Sequence, residues 1–304
     1  MATFDLAAQN GATRDSQILS HATHGDLEVV WTKIMVGGRI ELVVTADAVK
    51  LAGIRINVSA TLQQQLADYF GAMLLTPKVA DLAYAARAVT ISPQPMPITS
   101  STAGMQQESQ KMDAAISRVG GSEAGDIIGT VGKHWVIDNA LSQHPGMAEN
   151  YGWFLPPGTK TPWQGVPVYP SVTLGPLVIQ QPSWAHDPSH VDYSQQASFM
   201  HRDCKVDGKS EDLASVLQDA TLGPMLSHNG PLKVLRQPGV PLYSCPSPAV
   251  ALSFAMPSSA TGLCPMPPAP AITEPVGWLG RNWPWLAAGT GVAAFAAALA
   301  IERR

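Results

Sequence analysis

The sequence predicts an α+β fold in which an early helical hairpin packs on a mainly antiparallel sheet, followed by a Pro-rich linker and a C-terminal apolar helix. Three observations predict it. Strong helix signals gather early, short strand signals punctuated by Gly and Pro gather late, and the composition shifts to Pro, Ser and Ala from residue 246 onwards.

The first strand signals are "RIELVVTAD" (residues 39–47) and "IRINVSA" (54–60), partly alternating and β-branched, which suits a hairpin or meander. Ser59 then serves as N-cap for "ATLQQQLADYFGAML", where Leu62, Leu66, Phe70 and Met73 or Leu74 recur at helical spacing. In "TPKVADLAYAARAV", Thr76 is the N-cap and Pro77 the first helical residue, with Val79, Leu82, Ala83 and Ala86 as the buried stripe. The two form an αα-hairpin with a short joint. A third helix runs from about Thr102 to Arg118 on Met105, Met112 and Ile116. Beyond it, "DIIGTVGKHWVIDNAL", "PVYPSVTLGPLVIQ", "HVDYSQQASFMHRDCKV" and "LKVLRQPGVPLY" are strand-like runs.

These signals place a globular domain over residues 1–245 and a linker, part polyproline-like, over 246–282. The run 283–301, "WPWLAAGTGVAAFAAALAI", holds no charge and reaches about 28 Å as a helix at ~1.5 Å per residue, enough to span a bilayer. Trp283 and Trp285 suit an interface, and Arg281 and Arg303 flank the run. The plainer alternative is a buried Ala-rich core helix. The start of the chain carries Asp5, Arg14 and Asp15 without an apolar core, so a cleaved export signal is not expected.

Composition excludes some functions. A chain 45% hydrophobic and 14% charged, with a net charge of −4, offers no basic surface to neutralise phosphates, so nucleic acid is not an expected partner. Cys204, Cys245 and Cys264 lack the C-x-x-C spacing of zinc or redox sites.

The densest chemistry lies in "SWAHDPSHVDYSQQ" (183–196). Asp187-Pro188 marks a turn. If the segment after it is extended, His190, Asp192 and Ser194 share one face and Val191 and Tyr193 the other. Neighbours on such a face sit about 6–7 Å apart, so these three cannot make a hydrogen-bonded triad alone; a third group must come from elsewhere. In "VGKHWVID", strand spacing puts His134 and Asp138 on one face, about 13 Å apart, with His134 the one expected to face His190 and Asp192. "YGWFLPPG" supplies aromatic side chains that either wall a pocket or plug the core. The candidate assignments are therefore catalysis by His134, His190, Asp192 and Ser194; substrate contact by Lys133, Tyr151, Trp153 and Tyr193; and ligation of a divalent metal such as zinc by His186, His190 and Asp192. The plainer alternatives are a hydrogen-bonded polar strand end for residues 190–194 and an exposed strand edge for Lys133 and His134. No role falls to His21, His24, His144, His201 or His228.

The segments "LLTPKVADLAY", "GKHWVID", "YGWF" and "HVDYSQQ" resemble, in the same order, the "LPT-x-K-x-x-D", "GHKKD", "YGWH" and "YVDYSHG" segments of a family of uncharacterised bacterial proteins. The resemblance covers about residues 18–230 and implies no particular activity. Phe154 and Gln195 stand where that pattern has histidine, and Trp135 with a displaced Asp138 where it has lysine beside aspartate. A family that is enzymatic would thus have in this chain a member whose activity is lost or rearranged.

Two functions follow as expectations. The first is a membrane-tethered, hydrolase-like protein acting by His/Asp acid–base or metal-assisted hydrolysis on a cell-wall or peptide-like substrate. The second is a non-catalytic binding or assembly protein, as a homo-oligomer or in a larger particle. The first places the chain at a membrane through its C-terminal helix; in the second the same helix either holds it there or builds it into a larger particle. The full-length protein is therefore expected to sediment with membranes and to resist extraction by high salt, while a chain ending at Glu274 stays in the supernatant; full-length protein that is soluble and monomeric without detergent would overturn the anchor.

Overall fold

The computed structural model of the protein describes residues 11–97, 101–161 and 163–243. The expected linker and C-terminal helix lie outside the described residues. Among the described residues no helix is long and apolar enough to cross a membrane. The class is α+β, with helices set against antiparallel sheets.

The first sheet is built on the strand Ile40–Thr45. One edge pairs antiparallel with Trp31–Val36 through a three-residue turn, closed by Arg39 N–H on Val36 O at 3.1 Å, in which Gly37 and Gly38 both take positive φ. Its other edge meets Phe199–His201 and Asp203–Val206. Those two pair outward with Ala72–Leu74 and Lys209–Asp212.

Ser59 and Thr76 cap their helices as expected, Ser59 Oγ accepting the Leu62 N–H at 3.0 Å and Thr76 Oγ1 the Val79 N–H at 3.0 Å. The αα-hairpin, however, is corrected. The first helix is Ala60–Tyr69 and the second Pro77–Ala85, and between them Ala72–Leu74 is a strand. Gly71, at φ +61°, ends the first helix, and Met73 and Leu74 then bury themselves by pairing with Met200 and Phe199. The buried face of the second helix is Val79, Ala80, Asp81 and Tyr84, turned from the expected stripe. The third helix, Thr102–Arg118, buries Met105, Met112 and Ile116 as its spacing predicts. It is tied down by Arg55, only 1% exposed, which donates to both Asp47 oxygens at 2.9 and 2.7 Å and to Asp113 at 2.6 Å. "LKVLRQPGVPLY" forms no strand. It lies along the helix Ala60–Tyr69, with Gln237 N–H on Gln64 Oε1 at 2.8 Å and Arg236 on Asp68 at 2.7 Å.

The second sheet runs Tyr169–Pro170, Leu177–His186, Ala148–Phe154, Lys133–Val136, all antiparallel. Its last strand is joined to the first sheet. Lys133 N–H donates to Ser194 O at 2.6 Å, Gln196 N–H to Lys133 O at 3.0 Å, and Ile137 N–H to Leu75 O at 2.9 Å. The helix Ala60–Tyr69 covers one side of this seam, where Trp135, fully buried, donates from Nε1 to Val58 O at 2.8 Å. The helix Pro77–Ala85 covers the other side, through Tyr151 on Asp81 at 2.6 Å.

Gly132 enters the seam where nothing larger fits: a Cβ there would lie 2.6 Å from the Ser194 carbonyl oxygen and 2.5 Å from Gln196 Cγ. Backbone cannot yield as a side-chain tip can. Gly132→Ala is expected to destabilise the protein by about 1–3 kcal/mol, read as a lowered thermal midpoint, because overpacking forces the seam apart; an unchanged midpoint would show that the seam is not tight.

Candidate functional site

Alternation along Lys133–Val136 decides where its side chains go. Directly opposed residues share a face, so Lys133 and Trp135 lie with Gly152 and Asn150, whereas His134 and Val136 lie with Tyr151 and Glu149. His134 is accordingly turned away from His190 and Asp192, contrary to expectation. The residue brought to that pair is its neighbour, Lys133.

Nor is Lys133 on an exposed edge. Residues 194–196 cover the strand, and the Lys133 side chain is 13% exposed. Its ammonium lies 3.2 Å from Asp192 Oδ2. The His190 Nε2 atom stands 3.8 Å from the same oxygen, buried and without a hydrogen bond. The His186 ring stacks on His190, centroids 3.9 Å apart and planes 6° from parallel. Trp135 sets its ring perpendicular to both histidines, at 6.3 and 6.5 Å. This face thus gathers Lys133, Asp192, His190 and His186 over one indole.

The stretch after Pro188 is not extended, and this changes the expected geometry. Residues 193 and 194 form a turn. Asp192 Oδ1 accepts the Ser194 N–H at 2.8 Å and its hydroxyl at 2.5 Å, the local side-chain bonding by which aspartate competes with strand pairing. Asp192 and Ser194 therefore touch, but in the wrong order for a nucleophilic triad. The carboxylate lies between hydroxyl and imidazole, whereas activation needs the imidazole between the other two. Ser194 holds the turn.

Burial pushes the Asp192 carboxyl up, but the Lys133 ammonium and the Ser194 donors together hold it below the usual carboxylate range, so it is ionised at neutral pH. Burial, then the charges of His190 and Lys133, push His186 down. A metal does not fit the expected ligands. The in-plane lone pairs of stacked, parallel imidazoles run side by side and do not converge on one ion, and among the described residues no three His, Cys, Asp or Glu are grouped to hold a metal.

The expected aromatic contacts lie elsewhere. Tyr151, fully buried, donates to Asp81 and accepts the Val172 N–H at 3.0 Å, tying a helix to a loop. Trp153 and Tyr193 pack edge to face at 6.0 Å, and the Tyr193 hydroxyl accepts the Met96 N–H at 3.1 Å. All three plug the core.

One group escaped the sequence reading. Glu149, in the strand Ala148–Phe154, is fully buried, and both its carboxyl oxygens lack a hydrogen-bond partner. Burial, together with the neighbouring Asp138 carboxylate, pushes it up to about 9. Asp138 caps the 3-10 turn after the strand, accepts Asn229 Nδ2 at 2.9 Å and faces His228 Nε2 at 3.7 Å. His144, likewise given no role, stacks on Trp184 at 4.5 Å. A lone acid within the apolar run "AENYGWF" was the one available signal.

Because folding raises the Glu149 value from about 4.5 to about 9, the folded state holds a proton that the unfolded chain releases, and stability falls as pH rises through that window. Glu149→Gln, which keeps the shape and removes the ionisation, is expected to raise the thermal midpoint more at pH 8 than at pH 5. An equal effect at both would mean that Glu149 titrates normally.

Comparison with protein-family models, with curated proteins and with solved structures found no match.

Proposed function

We propose that the protein is a hydrolase-like enzyme that works by acid–base chemistry at His190, held at a membrane by the segment 283–301 and acting on a peptide-like or cell-wall substrate. The observation that carries this is the line Lys133–Asp192–His190: a carboxylate kept ionised by the ammonium at 3.2 Å stands 3.8 Å from a ring nitrogen of a histidine whose side chain is 32% exposed. In this reading His190 takes a proton from an attacking water, with the Asp192 carboxylate beside it. With the Ser194 hydroxyl bound to Asp192, water is the nucleophile in this reading. The family resemblance fits a rearranged member, since its histidine positions hold Phe154 and Gln195 here.

The second reading, a non-catalytic binding or assembly protein, is favoured by one observation: the Ser194 hydroxyl is spent on a turn, which leaves the site without a side-chain nucleophile. The two readings part on mutation. Screened against amide, ester and glycoside substrates, including cell-wall fragments, His190→Ala is expected to lose about 10²–10⁴-fold in turnover, the usual worth of a general base, with little change in thermal midpoint. Ser194→Ala is expected to keep turnover and to lose roughly 1 kcal/mol of stability, one hydrogen bond's worth. Turnover lost with Ser194 but kept without His190 would overturn the assignment, and no turnover by the wild type on any substrate class would favour binding.

A further inference from the structure

The second sheet leaves most of one edge open. Its longest strand, Leu177–His186, pairs with Ala148–Phe154 on one side, but on the other only Leu177 and Val178 are paired, with Pro170 and Tyr169. Among the described residues, no backbone group of 179–186 bonds to any other strand or loop. Gln180 turns its own amide onto Gln181 O at 2.9 Å, as a carbonyl without a strand partner invites. Pro182, a residue that sheets confine to their edges, stands mid-strand. Every residue of 179–186 is at least partly exposed, whereas the partner strand is buried throughout.

Open edges are templates for unwanted pairing, and proteins blunt them with charge. The outer strand of the first sheet, Lys209–Asp212, is blunted in this way, since Lys209, Glu211 and Asp212 are all exposed. Residues 161–186, by contrast, hold no Asp, Glu, Lys or Arg. The open edge is thus about 26 Å of main-chain donors and acceptors, at ~3.3 Å per residue, with no charge to turn a second strand away.

We infer that the edge 179–186 binds an extended, uncharged segment of another polypeptide, which joins the second sheet as an added strand. A bilayer does not fit, because edge amides and carbonyls go unsatisfied in lipid. A glycan offers hydroxyls without the repeat of about 6–7 Å that every second strand residue sets. A second copy fits poorly: antiparallel self-pairing over the whole edge puts Pro182 near the middle in both chains, where each lacks a donor, and irregularities of register flank that point. A foreign strand meets Pro182 only once. As an account of the substrate, the inference rests on the acid–base reading. His186 ends the edge and its ring stacks on His190, so a bound chain runs toward that pair, and the substrate class is extended polypeptide, not glycan.

The test titrates the full-length protein, labelled with ¹⁵N, with an acetylated and amidated octapeptide of alternating Thr and Val. A second octapeptide is N-methylated at its four central residues, which keeps the side chains and removes donors from both edges; chitotetraose serves as the glycan probe. The plain peptide is expected to shift the backbone amides of 179–186 saturably, and the N-methylated one to bind at least about tenfold more weakly, since several hydrogen bonds are lost. Chitotetraose is expected to leave those amides unmoved, and His190→Ala to bind the plain peptide as the wild type does. Equal binding of the two peptides, or shifts that miss 179–186, overturns the proposal. So do shifts of 179–186 that follow protein concentration alone as the protein dimerises, which would make a second copy the occupant. Peptide binding at the edge without turnover of any peptide keeps the edge and sinks the acid–base reading; turnover without such binding does the reverse.

Discussion

Both faces of the strand Lys133–Val136 depend on the peptide groups of one residue. Lys133 gives its N–H to Ser194 O and takes the Gln196 N–H on its own carbonyl, so a single strand edge joins the second sheet to the first. An edge paired in this way cannot slip by one residue without exchanging its two faces. That constraint aims the Lys133 ammonium at Asp192 and His134 at the helix Pro77–Ala85. It also explains Gly132, since the strand approaches Ser194 so closely that a methyl group would meet its carbonyl.

Buried polar contacts fix the elements around this seam. Burial alone pushes the Arg55 guanidinium down, yet Asp47 and Asp113 raise it overall and keep it charged, and the same three groups clamp the helix Thr102–Arg118 to the strand Ile54–Arg55. Asp81 does the equivalent for the helix Pro77–Ala85, taking the Tyr151 hydroxyl on one oxygen and the Thr173 N–H and hydroxyl on the other at 2.9 and 2.7 Å. Ion pairs of this kind add little net stability, because desolvation offsets most of their attraction. What they add is selectivity: an apolar face could pack in several registers, whereas Arg55 and Asp81 are satisfied in one.

Helix caps and apolar spacing were legible in the sequence because they are local. Ser59, Thr76 and the stripe Met105, Met112, Ile116 act through residues three or four positions away, and the structure has them as expected. The strand Ala72–Leu74 was not legible. Its apolar side chains continue the helical pattern, and what makes them a strand is the partner Phe199–His201, distant in sequence. The site shows the same division. The cluster of His186, His190 and Asp192 was visible as composition, but its geometry depended on whether residues 193 and 194 turn, and that is settled by a contest between the Asp192 side chain and strand pairing. Nor was it legible that Lys133, not His134, faces Asp192: one step along a strand reverses the face, and the face follows from register with Ala148–Phe154.

Exposure then gives the same side chain different chemistry on the two faces. His134 sits in an apolar enclosure, where burial makes a proton on its ring costly, so it is a neutral hydrogen-bonding group at physiological pH. His190, one-third exposed, faces an ionised carboxylate instead. The backbone of one four-residue strand thus sends His134 to one face and Lys133 to the other, toward Asp192 and His190, with the fully buried Trp135 ring packed against His186 and His190.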